Sequence, residues 1–192
     1  MKDKSLTNII GVIFLLFGIT AIINTSFEYG IKYILWFCYL GLIILGIGFL
    51  SRSKTIIESQ INILAIPLLI WTFDFIYYLI FGHSLLNIVG YFFEKGPLLS
   101  KIITTQHIFT IPLAIYARKF IKSKSKNPWI FSFIQISIIF VISRIISNYV
   151  DNLNWVYHTS LNLNIQYYPV FWFLFMFTMI IITNKIIKVV HN

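Results

Sequence analysis

The chain has 192 residues, of which 58% are hydrophobic and 11% charged, and its formal net charge is +9. A soluble domain carries about 25% charged residues and about 45–50% apolar ones, so the composition excludes an ordinary soluble globular domain. The apolar excess recurs in blocks along the whole chain and no polar stretch is long enough to fold alone, which predicts one all-α integral membrane domain over residues 1–192.

MKDKSL is a short basic lead. The apolar run 8–24 has no small-x-small cleavage site after it at the right place, so it reads as a retained first helix. Gly11 and Gly18 are seven residues apart and share a face, where a neighbouring backbone can approach closely. Further spans are predicted over about 33–50, 61–81, 102–117, 129–149 and 169–186, a bundle of six transmembrane helices. Ser51 to Gln60 reads as a polar turn between the second and third. Pro67 and Pro112 perturb the third and fourth, because proline frees a carbonyl one turn back. Gly82 to Lys101 is a longer connection, and its Tyr91, Phe92 and Phe93 suit a segment at the membrane interface. Asn127-Pro128 reads as a helix cap followed by proline at the first helical position. Val150 to Tyr168 is a polar, aromatic loop. Cys38, the single cysteine, lies mid-span, excludes an intrachain disulfide and reads as a small packing residue.

The six-span reading sorts the basic residues. One side collects Lys2, Lys4, Arg52, Lys54, the cluster Arg118 to Lys126, Lys185 and Lys188. The other holds Lys32, Lys95 and Lys101, with Arg144 inside a span. This asymmetry predicts a multi-pass protein of the cell membrane with both termini cytoplasmic. It accounts for the basic charge without nucleic acid and leaves membrane lipids as the partner that the charge itself implies.

Three ionisable residues interrupt the apolar runs, and at that depth they call for an explanation. Asp74 lies roughly 10 Å inside the outer end of the third span and His107 roughly 8 Å into the fourth, at about 1.5 Å per residue. Arg144, five residues before Tyr149, is expected at a similar depth, so the three share a layer in the outer half. Trp71, Asp74 and Tyr78 share one helical face. Thr104, His107 and Thr110 form a hydroxyl–imidazole–hydroxyl stripe. Ser137, Arg144, Ser147, Asn148 and Asp151 lie on another face, and Asn154 and His158 follow in the loop above. The inner half is expected to offer little beyond Gln135 and Asn184. An Asp74–Arg144 pair that only fixes helix register is an equally good reading of the same residues.

Several chemistries lack their motif. HExxH, GxSxG, a Walker A loop and CxxC are all absent. A zinc site needs three or four ligands; His107, Asp74 and His158 are the candidates, and no motif supports zinc or any other cofactor. Trp71, Asp74, Phe75, Gly82, Tyr91, Phe93, Ser100, His107, Pro112, Asn152, Asn154, Trp155, Val156 and Pro169 together resemble an uncharacterised family of small polytopic prokaryotic membrane proteins. The resemblance covers the C-terminal two-thirds of the chain. It implies only that Asp74, His107 and the Asn-Leu-Asn-Trp segment belong together.

Three functional readings follow. The first is a binding or transport protein holding a lipid-like or small polar ligand, anionic if Arg144 faces it, in an outward-facing pocket. Trp71, Tyr78, Thr104, Arg144, Asn148, Asp151 and Asn154 would line that pocket. The second is an intramembrane hydrolase or transferase acting on a lipid or lipid-linked substrate, metal-dependent or not, with His107 as base or metal ligand and Asp74 as its orienter or a second ligand. The third is a structural membrane subunit.

Overall fold

The computed structural model describes residues 2–161 and 163–189, the side chains of Lys2 and Asp3 excepted. The described residues form helices joined by turns, with no strand. Five runs are long and apolar enough to cross a membrane: Lys4–Glu28, Lys54–Phe81, Leu98–Arg118, Pro128–Ile146 and Tyr168–Val189. They belong to α1 (Lys2–Glu28), α3 (Lys54–Phe81), α5 with α6 (Leu98–Thr104 and Gln106–Arg118), α7 (Pro128–Ile146) and α8 (Tyr168–Val189). α2 (Phe37–Leu50) is shorter and is preceded by a 3-10 turn over Ile31–Leu35, and α4 (Gly90–Phe93) is a single turn. Large apolar side chains such as Ile9, Leu16, Phe131, Ile138, Ile145 and Leu174 stay exposed along the long helices. That is the surface a bilayer covers, not the surface of a soluble bundle.

Hydrogen bonds between distant segments of the chain gather in two layers. At one end, here called the basic end, Lys54 N–H donates to Ser123 Oγ, Lys126 N–H to Thr55 Oγ1, and Ser123 Oγ to the Arg52 carbonyl. At the far end, Asn24 Nδ2 donates to Ser100 Oγ, Phe37 N–H to Asn154 Oδ1, and Trp172 Nε1 to the Asn154 carbonyl. Each long helix therefore runs from one layer to the other. Gly11 meets Leu50 and Gly46, and the Ile187 carbonyl meets Arg118, so the first turns of α1 and the last turns of α8 lie at the same, basic end.

α3 is the central helix, packed against α2, α6, α7 and α8. Every residue from Ile57 to Ala65 is buried. A helix enclosed on all sides has no lipid-facing stripe, so polar residues there answer to neighbouring helices and not to lipid. Ser51 to Gln60, expected as a turn, is a turn only as far as Ser53. Ser53 then caps α3 by accepting the Ile56 N–H, and Glu58 and Gln60 are helical. α3 and α6 continue through Pro67 and Pro112. α7 stops at Ile146, short of the expected Tyr149.

The shared glycine face of α1 is real, and it receives α2. A Cβ on Gly46 would lie 2.9 Å from the Gly11 carbonyl oxygen and closer still to Leu15, whereas one on Gly90 would meet nothing within 4 Å. Gly46→Ala is therefore expected to force α1 and α2 apart and cost about 1–3 kcal/mol. Thermal unfolding of the purified protein should show a lowered midpoint for Gly46→Ala and none of that loss for Gly90→Ala.

Candidate functional site

Asp74 is wholly buried on α3. Its carboxylate accepts Ser84 Oγ at 2.5 Å and the backbone N–H groups of Leu85, Leu86, Ile88 and Val89 at 2.8, 2.9, 3.1 and 3.3 Å. The chain leaving α3 turns at Gly82, whose φ of 75° suits glycine, and folds back so that its amides surround the carboxylate. Five donors saturate two oxygens, so Asp74 is the anchor of the 84–89 loop. The expected pairing with Arg144 is not made.

His107 stacks on Trp71, with ring centroids 4.6 Å apart and planes inclined at 23°. Its Nδ1 lies 2.7 Å from the Thr104 carbonyl, which can only accept, so Nδ1 carries the proton. Trp71 Nε1 donates to Tyr91 Oη at 3.1 Å, and Trp71 also stacks on Phe75. Tyr78 stacks on Phe93 at 3.7 Å. Trp71, Phe75, Tyr78, Phe92, Phe93 and His107 thus form one aromatic layer that seats α4 on α3. Thr104 and Thr110 do not join His107 in a stripe, since their hydroxyls donate to the Ser100 carbonyl and to Gln106 Oε1.

Arg144 lies apart from both. Because α7 ends at Ile146, Arg144 is in its last turn and exposed, not midway into the outer half. It donates to the Val156 carbonyl at 3.0 Å and sits 4.2 Å over the Tyr157 ring. The remaining expected ligand residues organise the loop beyond α7. Asn148 Oδ1 accepts the Val150 and Asp151 N–H groups, a local Asx turn. Asp151 binds Lys32 Nζ at 2.6 Å and accepts from Tyr33 Oη at 3.0 Å. Asn154, at φ 53°, donates to the Leu35 carbonyl and to Ser143 Oγ while accepting the Phe37 N–H that opens α2. His158 stacks against Tyr149 and contacts Asn152 Nδ2. Asp74, His107 and Arg144 therefore have separate partners, and no hydrogen bond or ion pair among the described residues joins any two of them. Asp74, His107 and His158 do not gather as metal ligands either: no group of three or more His, Cys, Asp or Glu side chains suited to a metal occurs among the described residues.

The larger polar constellation lies in the other half, and the sequence reading missed it. Glu58 on α3 and Arg118 at the end of α6 form an ion pair at 2.5 Å, with side chains 8% and 1% exposed. Arg118 NH2 also reaches the Ile187 carbonyl on α8 at 3.5 Å. Nearby, Gln60 on α3 and Gln135 on α7 exchange two bonds of 2.7 and 3.2 Å, and Ser132 Oγ of α7 donates to the Ser59 carbonyl. The sequence placed Arg118 at the start of the most basic segment, on one side of the membrane. It is instead the largest fully buried side chain among the described residues.

Not all of this layer is satisfied. Asn62 is wholly buried, and neither its amide nitrogen nor its oxygen has a partner; the Thr183 hydroxyl and Arg118 Nε are likewise buried without one. Asn62 is one turn along α3 from Glu58, and Thr183 one turn along α8 from Ile187. The two helices run antiparallel and Arg118 bridges Glu58 to Ile187. Asn62 and Thr183 therefore sit at one level, a turn deeper than the ion pair. A usable signal was present: Ser53 as cap, then Glu58 and Asn62 on one face of a run rich in isoleucine.

Comparison with protein-family models, with curated proteins and with solved structures gives no match to this chain.

Two outcomes test this assignment of roles. Asp74→Asn places an amide donor among five donors, with an expected cost of about 3 kcal/mol and loss of amide protection over 84–89 in hydrogen exchange; Arg144→Gln should change stability far less. The second concerns pH. The hydrogen bond from Lys32 lowers the Asp151 pKa from its ordinary 3.8. A carboxylate with a lowered pKa contributes stability that is present above its ordinary value and lost as pH falls through the folded one. Denaturation midpoints of wild type and Asp151→Asn should differ by a constant amount near neutrality and converge as pH falls below the ordinary carboxylate range.

Proposed function

We propose that the chain is a six-crossing membrane protein with both termini on the cytoplasmic side, and that it binds a small polar ligand in its inner half through a site opening toward the cytoplasm. The crossing count is supported by the arm Ile31–Leu50. Its 3-10 turn of 5 residues and α-helix of 14, at about 2.0 and 1.5 Å per residue, reach roughly 31 Å, close to the hydrocarbon thickness of about 30 Å. The orientation is supported by the concentration of Lys and Arg at the end where α1 begins and α8 stops.

Asn62 carries the functional reading. A buried polar group left unpaired costs about 1–3 kcal/mol, and apolar side chains of similar size would avoid that cost. Asn62, Thr183 and Arg118 present both donors and acceptors at adjacent levels, so a guest molecule, water included, satisfies them together. The outward-facing pocket expected from the sequence loses its support, because its charged members are committed to loops. The lipid hydrolase or transferase reading loses its Asp74 orienter, whose oxygens are occupied; the Thr104 carbonyl orients His107 instead.

Thiol labelling tests the reading. In a Cys38→Ala background, Asn62→Cys is expected to react with a membrane-impermeant thiol reagent added to inside-out vesicles and not to right-side-out ones. Labelling from neither side would mean a dry site and would remove the proposal.

A further inference from the structure

The seam between α3 and α8 opens at the basic end into a cleft of about 300 Å³, lined by Glu58 of α3 and Ile187 of α8 among others. Beneath those two residues the Arg118 guanidinium crosses the seam. NH1 is bonded to Glu58 Oε1, and NH2 lies 3.5 Å from the Ile187 carbonyl. Arg118 itself is 1% exposed. One turn deeper on the same two helices are Asn62 and Thr183, with their unpartnered atoms. Further along, the next buried residues are apolar: Ile63, Leu64 and Leu68 on α3, and Met176, Met179 and Ile180 on α8. A polar guest therefore meets polar side chains only from the basic end, and there the Arg118 side chain closes the seam.

The two arms of this closure are unequal. The Glu58 contact is short, buried and between opposite charges, whereas the Ile187 contact is to a neutral carbonyl at the limit of hydrogen bonding. The weaker arm gives way first. A guanidinium that leaves Ile187 and keeps Glu58 strands no buried charge, so the movement avoids the cost of breaking the ion pair. It parts α8 from α3 at the level just above Asn62 and Thr183. Arg118 is the last residue of α6, so the swing needs no change within that helix.

We propose that Arg118 is a gate over the Asn62–Thr183 level: its guanidinium, held by Glu58, closes on the Ile187 carbonyl and releases it to admit a guest from the cleft. The proposal rests on the reading above, in which that level takes a guest from the cytoplasmic side, and it adds the residue that controls entry.

The test is the rate at which Asn62→Cys, in the full chain carrying Cys38→Ala, reacts with a membrane-impermeant maleimide added to inside-out vesicles, with and without Arg118→Lys. Lysine keeps a positive charge opposite Glu58, but as a point donor it does not span Glu58 and Ile187 together. Leu45→Cys, wholly buried in the last two turns of α2, reports general loosening of the bundle. Arg118→Lys is expected to speed labelling of Asn62→Cys at least about tenfold, the factor for losing one hydrogen bond of a charged group in a local opening, and to leave Leu45→Cys unchanged. Should Arg118→Lys not fold, Glu58→Asp keeps both charges and draws the carboxylate, and the guanidinium with it, away from Ile187; the same acceleration is expected. Equal rates at Asn62→Cys with and without the substitution, or equal acceleration of both reporters, overturn the gate and leave the guest site standing. No labelling of Asn62→Cys in either background removes the guest site and the gate with it.

Discussion

A charge surrounded by hydrocarbon has no water to answer it, so its partners must come from the chain itself. Glu58 and Arg118 illustrate the constraint. Each alone would be prohibitive at its burial; together, at 2.5 Å, they join the start of α3 to the end of α6. The link to the Ile187 carbonyl brings in α8. Breaking such a pair by removing one partner costs about 3–5 kcal/mol, while the intact pair adds little net stability. Its effect is to fix which faces of three helices meet. Asp74 obeys the same constraint with a different partner set, drawing five donors from the loop that follows its own helix.

The two halves of the bundle solve the problem differently. At the far end the polar residues serve loops: Asp74 holds 84–89, Asn154 opens α2, and Asp151 ties the loop after α7 to Lys32. Among the described residues no side-chain nitrogen or oxygen there is buried without a partner. At the basic end the polar residues lie between helices, and four buried atoms on Asn62, Arg118 and Thr183 stay unused. Saturation suits a scaffold, whereas unfilled donors and acceptors inside an otherwise paired layer suit a site that a guest completes.

Hydropathy made the membrane class and the long apolar helices legible, because lipid demands about 20 apolar residues per crossing. It misplaced helix ends where the environment changes from lipid to protein. Glu58 and Gln60 read as turn because their polarity was weighed against lipid, yet they face other helices. Arg118 was counted with the four lysines that follow it as one basic cluster, and sequence does not show that the Glu58 face passes beneath. Asp74 was legible as a group needing a partner. Its partners were not, since backbone amides leave no mark in side-chain pattern. Arg144 was expected five residues inside its helix, whereas α7 ends two residues after it at Ile146 and the polar face of Ser147 and Asn148 is not helical.

The central claim is that the Asn62–Thr183 level, a turn deeper than the Glu58–Arg118 pair, is a site completed by a guest. The most direct measurement is an experimental structure in lipid at a resolution that shows ordered water. The account predicts density between α3 and α8 within hydrogen-bonding distance of the Asn62 amide and the Thr183 hydroxyl. Asn62 and Thr183 bonded to each other or to backbone in a dry interface, with no density between them, would contradict it.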